Sequence, residues 1–198
     1  MTSDDPPTVA GGASGDGGTR DSIILALMER GDDSAFEQLI GAYQDHVART
    51  AYRLMGWSGE TQDVVQEVFL AALKNLSRFR GQSSLSTWLT AITVNECRKR
   101  QRKWRRAAGF LAELVRRPRR TPGSVEGGLI EDERLDRVRR AVAGLKRPLR
   151  EVTVLRYFQE LPIEEVARVL GLSVPAVNTR LHRARVRLKA TLSGLFEE

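Results

Sequence analysis

The stretch that most limits what this chain can fold into runs from Leu161 to Leu192, LPIEEVARVLGLSVPAVNTRLHRARVRLKATL, and it reads as two short helices around a tight turn. Pro162 suits a first helical turn, and Glu164 and Glu165 stand where the positive end of the helix dipole favours acids. Val166, Ala167, Val169 and Leu170 give that helix an apolar side. Gly171 then supplies the left-handed backbone that ends a helix at low cost, because it carries no Cβ to clash. Leu172 fills the corner, Ser173 is an N-cap, and Pro175 falls in the first turn of the next helix, where a missing N–H costs nothing.

Along the second helix Val177, Leu181, Ala184 and Leu188 recur at intervals of four, three and four, one stripe of a 3.6-residue period, so they face inward. A rotation of about 100° per residue puts Pro175, Thr179, His182 and Arg183 on the far side, with Asn178 and Arg185 on one shoulder and Arg180 and Arg187 on the other. No acid occurs from Ser173 to Gly194. A solvated helical hairpin would also show a charged face. Small Ala167, turn Gly171 and inward Val177 at their mutual spacing, with the missing acids, instead select a helix-turn-helix whose second helix fits the DNA major groove.

A formal charge of +7 and a pI near 10.2 point to a polyanionic partner, since Lys and Arg gain by releasing phosphate counterions. Ribosomal and membrane-surface proteins share that balance, so the charge supports DNA binding without selecting it. At 198 residues, two small domains are expected. The single cysteine, Cys97, excludes an internal disulfide and any multi-cysteine zinc site, and it reads as a small filler on a helix. With only His46 and His182 and no clustered acids, neither a metal site nor a cofactor is expected. No apolar run reaches membrane-spanning length and no signal pattern opens the chain, so a cytoplasmic protein without membrane insertion is expected.

Residues 1–19 are Gly, Pro, Ser and Asp with almost no bulky apolar side chain, and are expected to be a disordered tail. Arg20 to Glu29 contains IILALM and reads as a short helix ended by Gly31. From Asp33 a long amphipathic helix follows, with Asp33 or Ser34 as N-cap and Phe36, Leu39, Ile40, Tyr43, Val47, Ala51 and Leu54 on one stripe. His46 lies beside that stripe, as a core-edge or surface histidine would. Gly59 to Phe79 reads as a third helix with Val64, Val65, Val68, Phe69, Ala72, Leu73 and Leu76 inward. Asp63, Gln66 and Glu67 stand together on its polar side, either as a solvated face or as a patch for a partner's basic helix.

A loop, Arg80 to Ser84, leads to a fourth helix capped by Ser83 or Ser84. Leu85, Trp88, Leu89 and Ile92 pack inward, while Arg98 to Arg106 carries seven Lys or Arg among nine residues and no acid. Trp104 inside that run reads either as a stacking platform for single strands or as a partly buried tryptophan. Residues 107–130, rich in Arg, Pro and Gly, read as a flexible linker with one short helical turn. EDERLDRVRRAVAGL and RPLREVTVLRYFQE then supply two helices, with Leu149, Val152, Val154, Leu155 and Tyr157 as anchors, ahead of the helix-turn-helix. The expected architecture is all-α: a helical domain over 20–106, the linker over 107–130, and a helix-turn-helix domain over 131–198. No phosphate loop, catalytic triad or isolated carboxylate pair supports an enzyme.

At this point the chain resembles the RNA polymerase sigma factors of the extracytoplasmic-function (ECF) subfamily. SAFEQLIGAYQDHV, DVVQEVFLAAL and FRGQSSLSTWLTAITVNECRKRQR resemble sigma region 2; REVTVLRYFQELPIEEVARVLGLSVPAVNTRLHRARVRL resembles region 4. The resemblance implies a sigma factor that binds core RNA polymerase, recognises minus-35 and minus-10 promoter elements and melts the promoter. It assigns Asp63, Gln66, Glu67 and Phe69 to the clamp helices of the polymerase β′ subunit, and the apolar residues around Leu149 to Phe158 to the β flap. Phe79, Arg80, Gln82, Ser84 and Trp88 would hold an unstacked minus-10 base, with Arg98, Arg100 and Arg102 on the DNA backbone. Asn178, Thr179, His182 and Arg183 would meet minus-35 base edges, and Arg180, Arg185 and Arg187 its phosphates. An anti-sigma factor is a further implied partner. Gln62, Pro175, Ala176, Asn178 and Thr179 depart from the family's usual residues, so the promoter sequence does not carry over. Two other readings compete: an autonomous helix-turn-helix regulator independent of core polymerase, which leaves the acid-and-amide helix and the FRG loop unexplained, and a general RNA-binding helical protein, which leaves the turn at Gly171 unexplained.

Overall fold

A computed structural model describes residues 15–32, 34–57, 61–76, 79, 81, 83–112 and 130–193. Among them are eight α-helices and no strand: α1 (Gly15–Glu29), α2 (Ser34–Leu54), α3 (Gln62–Asn75), α4 (Leu85–Ala112), α5 (Ile130–Ala143), α6 (Arg147–Thr153), α7 (Ile163–Leu170) and α8 (Val174–Leu192).

The N-terminal module packs α1 to α4 around Leu39, Val47, Ala51, Val68, Leu85 and Leu89, all buried. At the starts of α2 and α4, side chains satisfy otherwise orphaned N–H groups, whereas Thr61 at the start of α3 makes no such bond. Ser34 lies inside α2, and Asp32 ahead of it accepts from the Ser34 N–H at 2.9 Å; hydrogen bonds from the Ser34 hydroxyl and then from this N–H hold the Asp32 carboxyl below the usual range. Asp33, the other expected cap, lies outside the described residues. Ser84 caps α4 by accepting from the Thr87 N–H at 3.1 Å. Asp21 on α1 joins it there: one carboxylate oxygen accepts the Leu85 N–H at 3.0 Å and the other the Tyr43 hydroxyl.

Three expected boundaries move. α1 begins at Gly15, five residues inside the expected tail, because a helix docked through buried Ile24 and the Asp21 bonds propagates outward at little further cost; residues 1–14 lie outside the described residues. α3 is shorter than expected, since the chain tightens at its end, where the Phe79 N–H meets the Leu76 carbonyl at 3.0 Å. α4 continues through Ala112 into the expected linker, of which residues 113–129 lie outside the described residues.

In the C-terminal module α6 widens after Thr153 into a π turn, Val154–Phe158, which buries Val154 and Leu155 and leaves Tyr157 half exposed, not anchored as expected. α7 and α8 close over it through Val166, Leu170, Val177, Leu181 and Ala184. The modules also touch each other. Arg150 lies between them and donates to the last carbonyls of α2 and α5, Nε to Leu54 at 3.0 Å and Nη1 to Ala143 at 2.8 Å, and through Nη1 to Leu145 just past α5 at 3.4 Å. Helix C-termini present unpaired carbonyls and a negative dipole end, so a buried guanidinium is satisfied there without a carboxylate. Arg53 reaches across to the Phe158 carbonyl and lies over that ring, 4.9 Å from its centroid.

Candidate DNA and polymerase interfaces

The turn between α7 and α8 forms as its residues require. Gly171 sits at φ 66° and ψ 43°, and its N–H and that of Leu172 meet the Arg168 and Ala167 carbonyls at 3.2 and 2.8 Å. Ser173 accepts from the Ala176 N–H at 3.4 Å and opens α8. Val177, Leu181 and Ala184 are buried and Leu188 packs against them, which fixes the helix's rotation. Asn178, Thr179, His182, Arg183, Arg185 and Arg187 are therefore all exposed and Arg180 is half-buried. The Thr179 hydroxyl donates to the Pro175 carbonyl at 2.9 Å, so towards a ligand it offers acceptor lone pairs and a methyl group. Arg187 stands apart from the first turns and lines an open groove of about 450 Å³ with Arg137 and Arg140 of α5.

On α3, Asp63, Gln66 and Glu67 are exposed together. Phe69 is not part of that surface: it is 6% exposed, turned into the core beside Val68 and Ala72. The apolar residues on the outer side are Leu70 and Leu73, 50% and 48% exposed, and the expectation that Leu73 faces inward fails with it. Rotation by about 100° per residue puts Leu73 opposite Val64, so the helical wheel already contained the signal.

The expected minus-10 residues are divided among three settings. Arg80 and Gln82 lie outside the described residues. Trp88 is buried and supports half-buried Phe79, their ring centroids 5.2 Å apart, so Phe79 and Ser84 are the pair nearest the surface. Of the basic set, Arg102 is exposed, Arg100 donates to Asp63 at 2.8 Å with its guanidinium 5.7 Å from the Trp104 ring, and Arg98 binds Glu151 through two parallel hydrogen bonds at 3.0 and 2.9 Å. Trp104 is thus the partly buried tryptophan. Cys97 is the buried filler expected, its thiol pushed up to about 12 by burial and then by Glu151. His46 is a core-edge residue, Nε2 2.9 Å from the Thr90 hydroxyl.

Sequence reasoning missed Asp21, Glu151 and Glu165. Asp21 ties α1 to the start of α4, and its only local signal is an acid set against an apolar run. Glu151 and Glu165 bind α4 from the other module, a choice of partner that no local spacing encodes.

A helical module with an exposed acid-and-amide helix beside a basic one, followed by a helix-turn-helix with an acid-free outer face, defines a two-module DNA-reading protein of the kind that serves transcription initiation. The family model for Sigma-70 region 2 matches residues 39–107, and that for Sigma-70, region 4 matches residues 135–188. The chain is 31% identical over 179 residues to the ECF RNA polymerase sigma factor SigW of Bacillus subtilis, covering 86% of this chain and 96% of SigW. It is 31% identical over 183 residues to the ECF RNA polymerase sigma-E factor of Escherichia coli, covering 83% and 90% of the two chains. Among solved structures it is similar to CnrH in complex with the cytosolic domain of CnrY, with a TM-score of 0.63 and 32% identity over 88% of this chain and 98% of that one. The sigma factor RpoE from Bartonella quintana, in complex with the anti-sigma factor NepR, shares the fold at a TM-score of 0.66 and 23% identity, over 82% and 98% of the chains. The chain belongs to the ECF sigma factors.

Proposed function

We propose that the protein binds core RNA polymerase in the cytoplasm, delivers it to promoters through minus-35 and minus-10 contacts, and helps open the duplex, without an active site of its own. The observation that carries this reading is the rotation of α8: Val177, Leu181 and Ala184 are buried, which leaves Asn178, Thr179, His182 and Arg183 outward on a helix without an acid. Those four side chains are assigned to base edges, and Arg180 and Arg185 to phosphates.

Flipping a promoter base out of the stack costs a few kcal/mol. Phe79 and Ser84 at the mouth of α4, with Arg98, Arg100 and Arg102 on the backbone, offset that cost. Asp63, Gln66 and Glu67, with Leu70 and Leu73 in place of buried Phe69, form the surface for the β′ clamp helices. Tyr157 is the exposed member of the segment assigned to the β flap. An anti-sigma factor covering these surfaces is a further partner, in keeping with the complex of RpoE from Bartonella quintana with the anti-sigma factor NepR. No described helix is long and apolar enough to cross a membrane. Run-off transcription with sigma-free core tests the reading: specific transcripts on adding the protein support it. Tight DNA binding that core neither needs nor alters favours an autonomous regulator instead.

A further inference from the structure

Glu151 and Glu165 are the buried acids among the described residues, 5% and 8% exposed, and both are directed at one stripe of α4. Glu151 holds Arg98 through two parallel bonds, with Arg147 Nε 3.5 Å from the same carboxylate, and Glu165 accepts from the Thr87 hydroxyl at 3.1 Å. Thr87, Ala91, Val94 and Arg98 follow one another at intervals of four, three and four, so they lie on one face of α4. Thr87, Ala91 and Val94 are all under 5% exposed, and α7 packs along this helix. Thr87 is in turn bonded to Ser84, at the mouth of the loop assigned to the flipped base.

Burying an acid is costly unless it is paired and fully bonded, so two acids spent on one seam mark a built interface rather than a chance contact. The chemistry of the pairing is telling. A carboxylate gripping a guanidinium through two bonds occupies the geometry a DNA phosphate would use, and Arg98 is assigned to that phosphate.

We propose that the C-terminal module docks on the N-terminal module's minus-10 surface as an intramolecular competitor of promoter DNA, with Glu151 standing in for a backbone phosphate at Arg98 and Glu165 holding Thr87 beside the base-capture loop. The proposal rests on the sigma-factor reading. The outer face of α8 stays exposed in this closed arrangement, so the docking occupies Arg98 and Thr87 of the minus-10 surface and leaves the minus-35 reader open. Release of the seam is then the step that couples arrival at the promoter to strand capture.

The molecule contains its own reporter. Cys97 is the single cysteine, 3% exposed, and close enough to Glu151 and Arg150 for both to act on its thiol. The test uses the full chain, as wild type, Glu151→Gln, and Glu151→Ala with Glu165→Ala. Each is treated with a thiol-reactive disulfide reagent and titrated with a fluorescent single-stranded oligonucleotide carrying the non-template minus-10 segment of a promoter that gives run-off transcripts. The wild-type thiol should react far more slowly than in urea; the double variant should react at least about tenfold faster and bind the oligonucleotide about tenfold more tightly, with Glu151→Gln between the two. Binding of the upstream duplex should not change. Glu151→Gln preserves volume and keeps the test valid should the double variant lose helix content. A wild-type Cys97 as reactive as in urea, or a faster thiol with unaltered oligonucleotide affinity, overturns the proposal. Missing run-off transcripts would instead strike the sigma-factor reading, while the thiol rates still report whether the seam is closed.

Discussion

Gly171 separates a conformational requirement from a packing one. At φ 66° it occupies the left-handed region, and no atom lies within 4 Å of the Cβ that alanine would add. Gly171→Ala therefore carries no steric clash, only the left-handed penalty of about 1–2 kcal/mol, reduced by about 0.4–1 kcal/mol because alanine also stiffens the unfolded chain. The net expectation is a loss of about 1 kcal/mol. Gly171→Asn should cost less than half of that, since asparagine tolerates this conformation. Urea titration followed by far-UV circular dichroism measures the difference: with a slope of about 2 kcal/mol per molar, alanine should lower the midpoint by about 0.5 M at unchanged slope. All three tryptophans, Trp57, Trp88 and Trp104, lie in the N-terminal module, so tryptophan fluorescence shows whether the seam transmits the loss. A neutral Gly171→Ala, or an asparagine variant as destabilised as the alanine one, would refute the reasoning that the turn is set by backbone conformation alone.

Arg183→Ala should weaken binding of the upstream promoter duplex by about 1–3 kcal/mol in fluorescence anisotropy, with the fold retained; unchanged affinity removes Arg183 from the reading set. Replacing Asp63 and Gln66 together with Lys should weaken binding to core polymerase while leaving the circular dichroism spectrum intact, and a normal affinity would show that α3 is not the contact. Burial holds the His46 imidazole below its usual 6.5. Below that pH the unfolded chain takes up a proton that the folded chain refuses, so stability is greatest above pH 6.5 and falls as the pH drops. His46→Gln should flatten this slope in urea titrations between pH 7 and 5.5, and an identical slope in both proteins would dismiss His46 as its source.

The helix-turn-helix was readable residue by residue because everything that shapes it is local: a glycine at the turn, a serine at the cap, and buried Val177, Leu181 and Ala184 at helical spacing. The stripes of α2 and α4 were readable for the same reason. On α3 the apolar run is wider than its buried face: the wheel angle that sets Leu73 opposite Val64 was legible, whereas packing against α2 and α4 decides that Phe69 turns in. The expected basic backbone set failed to predict its own partners. Local spacing shows Arg98 and Arg100 as two of many cations, whereas their acids come from 53 and 37 residues away. Glu165 read as an acid placed for the helix dipole, and its burial against Thr87 depends on a module whose docking no periodicity records.

Permanganate oxidation of unpaired thymines in the minus-10 segment tests the central claim most directly. The account predicts reactive thymines only when protein, core polymerase and promoter are present together, and their loss with Asp63 and Gln66 changed to Lys. Thymines that open with the protein alone, or that stay paired in the full mixture while the upstream element is occupied, would contradict it.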